Sequence, residues 1–280
     1  MRIVVLVMLS LMLGGCNWYW HWPPWRAPGA VVRTGAGPLD GQDGADPTVY
    51  LVDVRITSVE VPVGVASGSE KMWSYLDEER SKAVRDATMP QNGVRLGVAP
   101  ASTWPDLVKV LQEMTGTKLV ETTTPTLPGI PLAITLKPNQ PQQFISTWSR
   151  DRPSSSQDYP PGDNLLLINC SLNELDYNKL IVTGVPQIRS TDKVRIIRNE
   201  IAGPTIAYES ERFTLDACTF QLMLTSGEIL ILGPGAESRK SFSVGRHFLV
   251  HQKDGLECET ILVIVPTIRK VPLKVVAPSK

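Results

Sequence analysis

The hydrophobic pattern divides the chain into a short apolar opening, a polar stretch and a long periodic body. Ile3 to Leu13 is apolar except for Ser10, too short for a spanning helix, which needs ~20 residues. Residues 27–48 are rich in Gly, Pro and Asp, the composition of a flexible linker; its root-mean-square reach is on the order of 25–30 Å. Periodicity begins at Tyr50. Val52, Val54 and Ile56, then Val59 and Val61, predict a strand over Tyr50–Val61. Ser67 and Glu70 stand at capping-box spacing, and Met72, Trp73, Leu76, Ala83 and Val84 behind them predict a helix that Arg80 interrupts. Val94, Leu96 and Val98 alternate again. Thr103 is placed to cap a second helix, with Pro105 in its first turn and Gly116 at its end; Trp104, Leu107, Val108, Leu111 and Met114 form its apolar stripe. Trp73 and Trp104 lie on these stripes and are expected in the core. The sum is a β-α-β-α unit over residues 49–119, with Lys118–Glu121 as a closing strand.

Past residue 120 helical periods disappear and short β-type runs alternate with Thr-rich and Pro-rich stretches. Expected strands are Leu132–Leu136, Leu165–Cys170, Lys179–Val185, Lys193–Ile197, Thr205–Tyr208, Phe220–Thr225 and Ile229–Leu232. Pro153 to Gly162 reads as an exposed loop. A last hairpin joins Val244–Gln252 to Leu256–Val265 through Asp254-Gly255, which pairs Lys253 with Leu256 and His251 with Cys258. The unbroken run Ile261 to Val265 is expected to be buried on both faces. The fold class expected is α+β, a small β-α-β-α unit followed by a mainly antiparallel β domain over 120–280.

Composition fits a folded body: 42% hydrophobic and 20% charged residues. The 28 basic and 28 acidic residues cancel, and loss of residues 1–15 removes a single Arg. A near-neutral chain without a long block of one charge is not expected to bind nucleic acid.

Arg2 followed by the apolar run and then Leu13-Gly14-Gly15-Cys16 resembles the signal peptide and lipobox of bacterial lipoproteins. The resemblance implies a signal peptide over 1–15, cleavage between Gly15 and Cys16, and lipid (diacylglycerol, with palmitate-type acylation of the new amino terminus) on Cys16. Two or more acyl chains give stable anchoring. Asn17, rather than Asp, favours the outer membrane facing the periplasm. The anchor segment, 16–48, carries Trp18, Trp20, Trp22 and Trp25 around Pro23-Pro24. Two readings fit these rings, an interfacial foothold in the headgroup region and a tether packed on the body.

The C-terminal region is similar to the end of the secretin family, the outer-membrane ring proteins of type II and type III secretion systems. The matching residues are Gly227-Glu228 leading to Leu230, Leu232 and Gly233, then Val244-Gly245-Arg246 with Phe248, then Glu259-Thr260-Ile261-Leu262-Val263-Ile264-Val265-Pro266-Thr267-Ile268. They cover residues 213–268, about a fifth of the chain. Ser241-Phe242-Ser243 departs from the family's Pro at this point, and Val265-Pro266 replaces its Thr-Pro. The resemblance implies a secretin-like β core and a place in a secretion or envelope complex.

Chemistry-bearing residues are sparse. Beyond His21 in the tether there are only His247 and His251. On one strand these would lie ~13 Å apart, too far to share an ion, so no metal or cofactor is expected. Gly233-Pro234-Gly235 with Lys240-Ser241 lacks the Walker spacing, since Arg239 stands where Gly is required. Asp77-Glu78-Glu79 is expected on a helix with its carboxylates fanned apart. Cys170, Cys218 and Cys258 permit one disulfide plus a free thiol, or three thiols. The expected function is a non-catalytic, lipid-anchored structural or assembly lipoprotein, with envelope proteins or further copies as partners. Alternatives are a monomeric lipoprotein that binds a small ligand in a deep apolar cavity between the sheets, and a lipoprotein hydrolase.

Overall fold

The computed structural model describes residues 48–82, 88–116, 119–152, 154–200 and 203–272. Its strands are β1 (Thr48–Pro62), β2 (Val94–Ala99), β3 (Glu121–Thr126), β4 (Leu132–Gln140), β5 (Gln143–Thr147), β6 (Ser155–Tyr159), β7 (Gly162–Asn173), β8 (Asp176–Glu200), β9 (Gly203–Thr214), β10 (Phe220–Thr225), β11 (Ile229–Pro234), β12 (Val250–Lys253) and β13 (Leu256–Pro272). The α-helices are α1 (Glu70–Trp73), α2 (Glu79–Lys82), α3 (Thr88–Gln91), α4 (Trp104–Thr115) and α5 (Val244–Leu249).

All named strand pairs are antiparallel. One sheet runs β2-β11-β13-β1-β3 with β12 on β13; the second runs β10-β8-β7-β4 with β9 on β8; β5 and β6 form a separate ribbon. The period-2 pattern explains the layering. On β1, Val52 and Val54 face the second sheet together with Leu230, Leu232, Leu262 and Ile264. Val59 and Val61 face the other way with Ile229, Ile231, Ile261 and Val263, under Trp73, Leu107, Val110 and Leu111 of the helices. The first sheet is thus covered on both faces, and β13 reads as an unbroken apolar run because it is central.

This arrangement revises the expected β-α-β-α unit. Its two strands form, yet β11 and β13 lie between them. Strands from both sides of residue 120 share one sheet, since β1 pairs with β13 from Thr48↔Pro272 to Pro62↔Cys258. The first predicted helix is also reduced, within the described residues, to the single turns α1 and α2. Ser69, not Ser67, caps α1 by accepting the Met72 N–H. The chain then straightens at Asp77, whose backbone bridges Val98 and whose Oδ1 accepts the N–H groups of Glu79 and Arg80. Asp77 and Glu78 therefore precede α2 rather than lying along a helix; Glu78 takes a bidentate bond from Arg95, 2.6 and 3.1 Å. Helix α4 forms as expected, with Pro105 in its first turn and Gly116 left-handed at its end, although Thr103 makes no side-chain cap.

Three further elements differ. Lys179–Val185 and Lys193–Ile197 belong to one 25-residue strand, β8, which runs through Pro186 and a register break between Arg189 and Lys193. Ser155–Tyr159 pairs with Gln143–Thr147 where a loop was expected. Val244–Leu249 is a helix, because the Ser243 hydroxyl accepts the Arg246 N–H and starts a turn. The Asp254-Gly255 turn and its register, Lys253↔Leu256 and His251↔Cys258, are as expected.

Candidate functional site

Cys16 and Gly15, the cleavage and lipid-attachment positions, lie outside the described residues, as do Trp18 to Trp25. Among the described residues no helix is long and apolar enough to cross a membrane. Cys170, Cys218 and Cys258 are all free thiols. Burial pushes both the Cys170 and Cys218 thiols up to about 12. No group of three His, Cys, Asp or Glu side chains converges on one point among the described residues. Between Leu136, Leu166, Leu232 and Phe248 the two sheets leave a void of about 10 Å³, barely one water.

Two features stand out from this packed body. The first is an arm. Beyond the bulge at residues 189–193, β8 keeps only β9 as a partner, with Arg195 opposite Tyr208 and Ile197 opposite Ile206. These pairs share one face, and Ile197, Ile206 and Tyr208 are 67%, 56% and 66% exposed. Val194, Ile196 and Ala207 occupy the other face, where Arg198 pairs with Glu209.

The second is a cleft of about 440 Å³ where β4, β5, α5 and β12 meet. Two register breaks in β4, either side of Lys137, peel the strand from β7. Asn139 then turns through a left-handed conformation, φ 51°, and donates its N–H to Asp163 Oδ1 at 2.8 Å. The bulge aims Lys137 inward, where its Nζ donates to the Val250 carbonyl at the C-terminal end of α5, 2.7 Å. The far wall is pinned by a buried amide pair. Gln143 Nε2 donates to Asn164 Oδ1 at 2.9 Å, and Asn164 Nδ2 donates to Gln143 Oε1 and to the His247 carbonyl, each 2.8 Å.

The groups lining the cleft carry uneven charge. Arg246 forks onto Glu257 and holds that carboxyl below its ordinary range. His251 lies between Thr260 Oγ1, 3.3 Å from Nδ1, and Glu60 Oε1, 3.2 Å from Nε2. Burial, then the Lys137 charge, pushes His247 downward, and the backbone at Phe144 and Ser241 offsets part of this. The His247 Nε2 is buried without a hydrogen-bond partner. Lys137 is pushed down to about 8, first by burial and then by the Arg246 charge. The cleft can therefore hydrogen-bond a polar ligand and offer it one weakly held proton.

Of the residues singled out in sequence, His247 and His251 both line this cleft, but from different elements, α5 and β12. They do not share a strand. His251 and Cys258 are the expected cross-strand neighbours. Gly233-Pro234-Gly235 runs from β11 into a single 3-10 turn, Ala236–Arg239, rather than into the α-helix that a phosphate loop requires. Lys137 directly follows the expected strand Leu132–Leu136, and no local sequence signal marks it.

No family model matches the chain, and no curated protein matches it. Among solved structures it is similar to the AspS–GspD pilotin–secretin complex of ETEC, at 9% identity and a TM-score of 0.19, over 79% of this chain and 48% of that one. It is also similar to the InvG secretin-domain β-barrel of the Salmonella SPI-1 injectisome, at 9% identity and a TM-score of 0.17, over 83% of this chain and 64% of that one. The chain thus spans about half and about two thirds of the lengths of these structures. The likeness is distant.

Proposed function

We propose that the protein is a lipid-anchored structural component of the bacterial envelope, held by acyl chains on Cys16 at the periplasmic face of the outer membrane. Its secretin-like β body assembles with further copies or envelope proteins and turns over no substrate. The observation that carries this reading is the β8–β9 arm. A two-stranded ribbon is marginal in water alone, and one that exposes Ile197, Ile206 and Tyr208 on a single face invites a partner. The anchor rests on the sequence at Leu13 to Cys16. Among the described residues Thr260, His251 and Glu60 form a hydroxyl–imidazole–carboxylate chain, in which Thr260 is buried on β13.

The test is the mass of the full-length lipoprotein purified in detergent, measured by light scattering. Assembly above the mass of one processed, acylated chain is expected, falling to the monomer in an Ile197→Ser, Ile206→Ser, Tyr208→Ser variant. A monomer at every concentration for the unaltered chain overturns the reading. Cys16→Ser is expected to leave the chain unprocessed or to release it from the membrane; a variant that is trimmed normally and stays membrane-bound overturns the anchor.

A further inference from the structure

We propose that the cleft between β4, α5 and β12 is a binding site for a carboxylate carried on a small polar body, with the Lys137 ammonium as its charge partner. The inference is independent of the assembly reading. It starts from a charge inventory. The groups lining the cleft that can carry positive charge are Lys137, Arg246, His247 and His251, and the acid among them is Glu257. Arg246 is engaged with Glu257, and His251 with Glu60, which also takes Lys253. His247 is held toward its neutral form. Lys137 is left as the cation whose bonded partner among the described residues is a neutral carbonyl.

Capping α5 explains one of the three Lys137 donors. It does not explain why the chain breaks register twice to hold an ammonium half-buried at the floor of a cleft rather than letting it reach solvent from a regular strand. Such a position costs solvation, and the downward shift of Lys137 records that cost. A bound carboxylate reverses it by accepting the two spare donors as charge-assisted bonds. A single negative charge fits better than two, since among the described lining residues Lys137 is the cation bonded only to a neutral carbonyl and the Glu257 carboxylate stands nearby. The rest of the lining selects a polar body. Gln140, Gln142 and Gln252 contribute amides.

The experiment uses the full-length lipoprotein in detergent and titration calorimetry with N-acetylglycine, set against N-acetylglycinamide, which has the same body without the charge. Saturable binding of the acid at one site per chain is expected, with the amide at least roughly tenfold weaker, as the loss of one charge-assisted bond implies. Lys137→Gln is expected to weaken the acid at least roughly tenfold, and Lys137→Arg to keep it within a few-fold. No saturable binding of the acid, equal binding of acid and amide, or an unaffected Lys137→Gln variant overturns the proposal. Inorganic phosphate binding as tightly as the acid overturns the assignment to a carboxylate. Should Lys137→Gln fail to fold, the acid–amide comparison on the unaltered protein decides alone.

Discussion

Glu259, fully buried on β13, accepts the backbone N–H of Ala66 at 2.9 Å through Oε2, and the same oxygen takes the N–H of Ser67 at 3.0 Å. The two bonds tie the loop after β1 to the central strand across 193 and 192 residues of sequence. That loop in turn positions Trp73, whose Nε1 donates to the Ala66 carbonyl at 3.0 Å and whose ring lies 4.3 Å beneath the Arg95 guanidinium. Losing the acceptor would leave two buried N–H groups unpaired, at about 1–3 kcal/mol each. Glu259→Gln, which keeps the shape and one acceptor, is expected to lower stability by about 1–2 kcal/mol, and Glu259→Ala by about 3 kcal/mol or more. Urea unfolding followed by tryptophan fluorescence checks both values. A neutral Glu259→Ala would show that the loop is held by other contacts.

Lys137 makes stability rise with pH in an unusual window. Its folded value is about 8 against an ordinary 10.5. Between these values the unfolded chain still holds a proton that the folded chain has released, so unfolding becomes harder as pH rises and levels off above the upper value. Below pH 8 the group is charged in both states and the penalty is constant. Partial solvation tempers the effect to about 1–2 kcal/mol. Cys170 and Cys218 act in the opposite direction above pH 9, because their unfolded thiols ionise first. The clean measurement is therefore the stability difference between the unaltered protein and Lys137→Met at pH 7.5, 9 and 10.5. The advantage of Lys137→Met is expected to shrink across the series; a constant difference would refute the assignment.

Thiol reactivity should separate the three body cysteines. Cys258 is partly accessible, whereas Cys170 and Cys218 are buried and stay protonated. At pH 8 a maleimide is expected to add once to the folded body, at Cys258, and three times in denaturant, as counted by mass spectrometry. Rapid addition at Cys170 without denaturant would mean that the two sheets separate readily.

Helix α5 rests against the turn before β2 with no room for a side chain. A Cβ on Gly245 would stand 1.9 Å from the Gly93 carbonyl oxygen, while the Gly245 N–H donates to Asn92 O at 2.8 Å. Gly93 is itself left-handed, φ 78°. Gly245→Ala is expected to cost about 1–3 kcal/mol, seen as a lowered Tm. It should also weaken any ligand of the cleft, because Arg246 and His247 follow directly.

Much of the body was legible in single segments. The alternation at Val52, Val54 and Ile56 and at Val94, Leu96 and Val98 marked faces that are buried as read, and Asp254-Gly255 fixed both turn and register. What escaped was non-local. Nothing near Val54 announces that Pro266 will lie opposite it, so strands far apart in sequence were assigned to separate units. Val244 to Leu249 reads as the opening of a strand through Val244, Phe248 and the following Val250, yet the Ser243 hydroxyl starts a helical turn there. Pro186 and the polar Ser190-Thr191-Asp192 looked like breaks, yet β8 passes through both. The cleft was half legible: both histidines were noticed, while Lys137 gains its meaning only from bulges that no local pattern encodes.

The continuity of β8 has a consequence for how this molecule can change over generations. Residues 179–188 are gripped on both sides by β7 and β10, or by β7 and the base of β9, and need nothing from the tip. Because side chains along a strand swap sides at each step, adding or deleting two residues in each limb of the hairpin would lengthen or shorten the reach of the projection without turning its greasy side over. A one-residue change would invert it. The projection is thus a part whose span can be adjusted in fixed increments, leaving the stem from which it grows untouched.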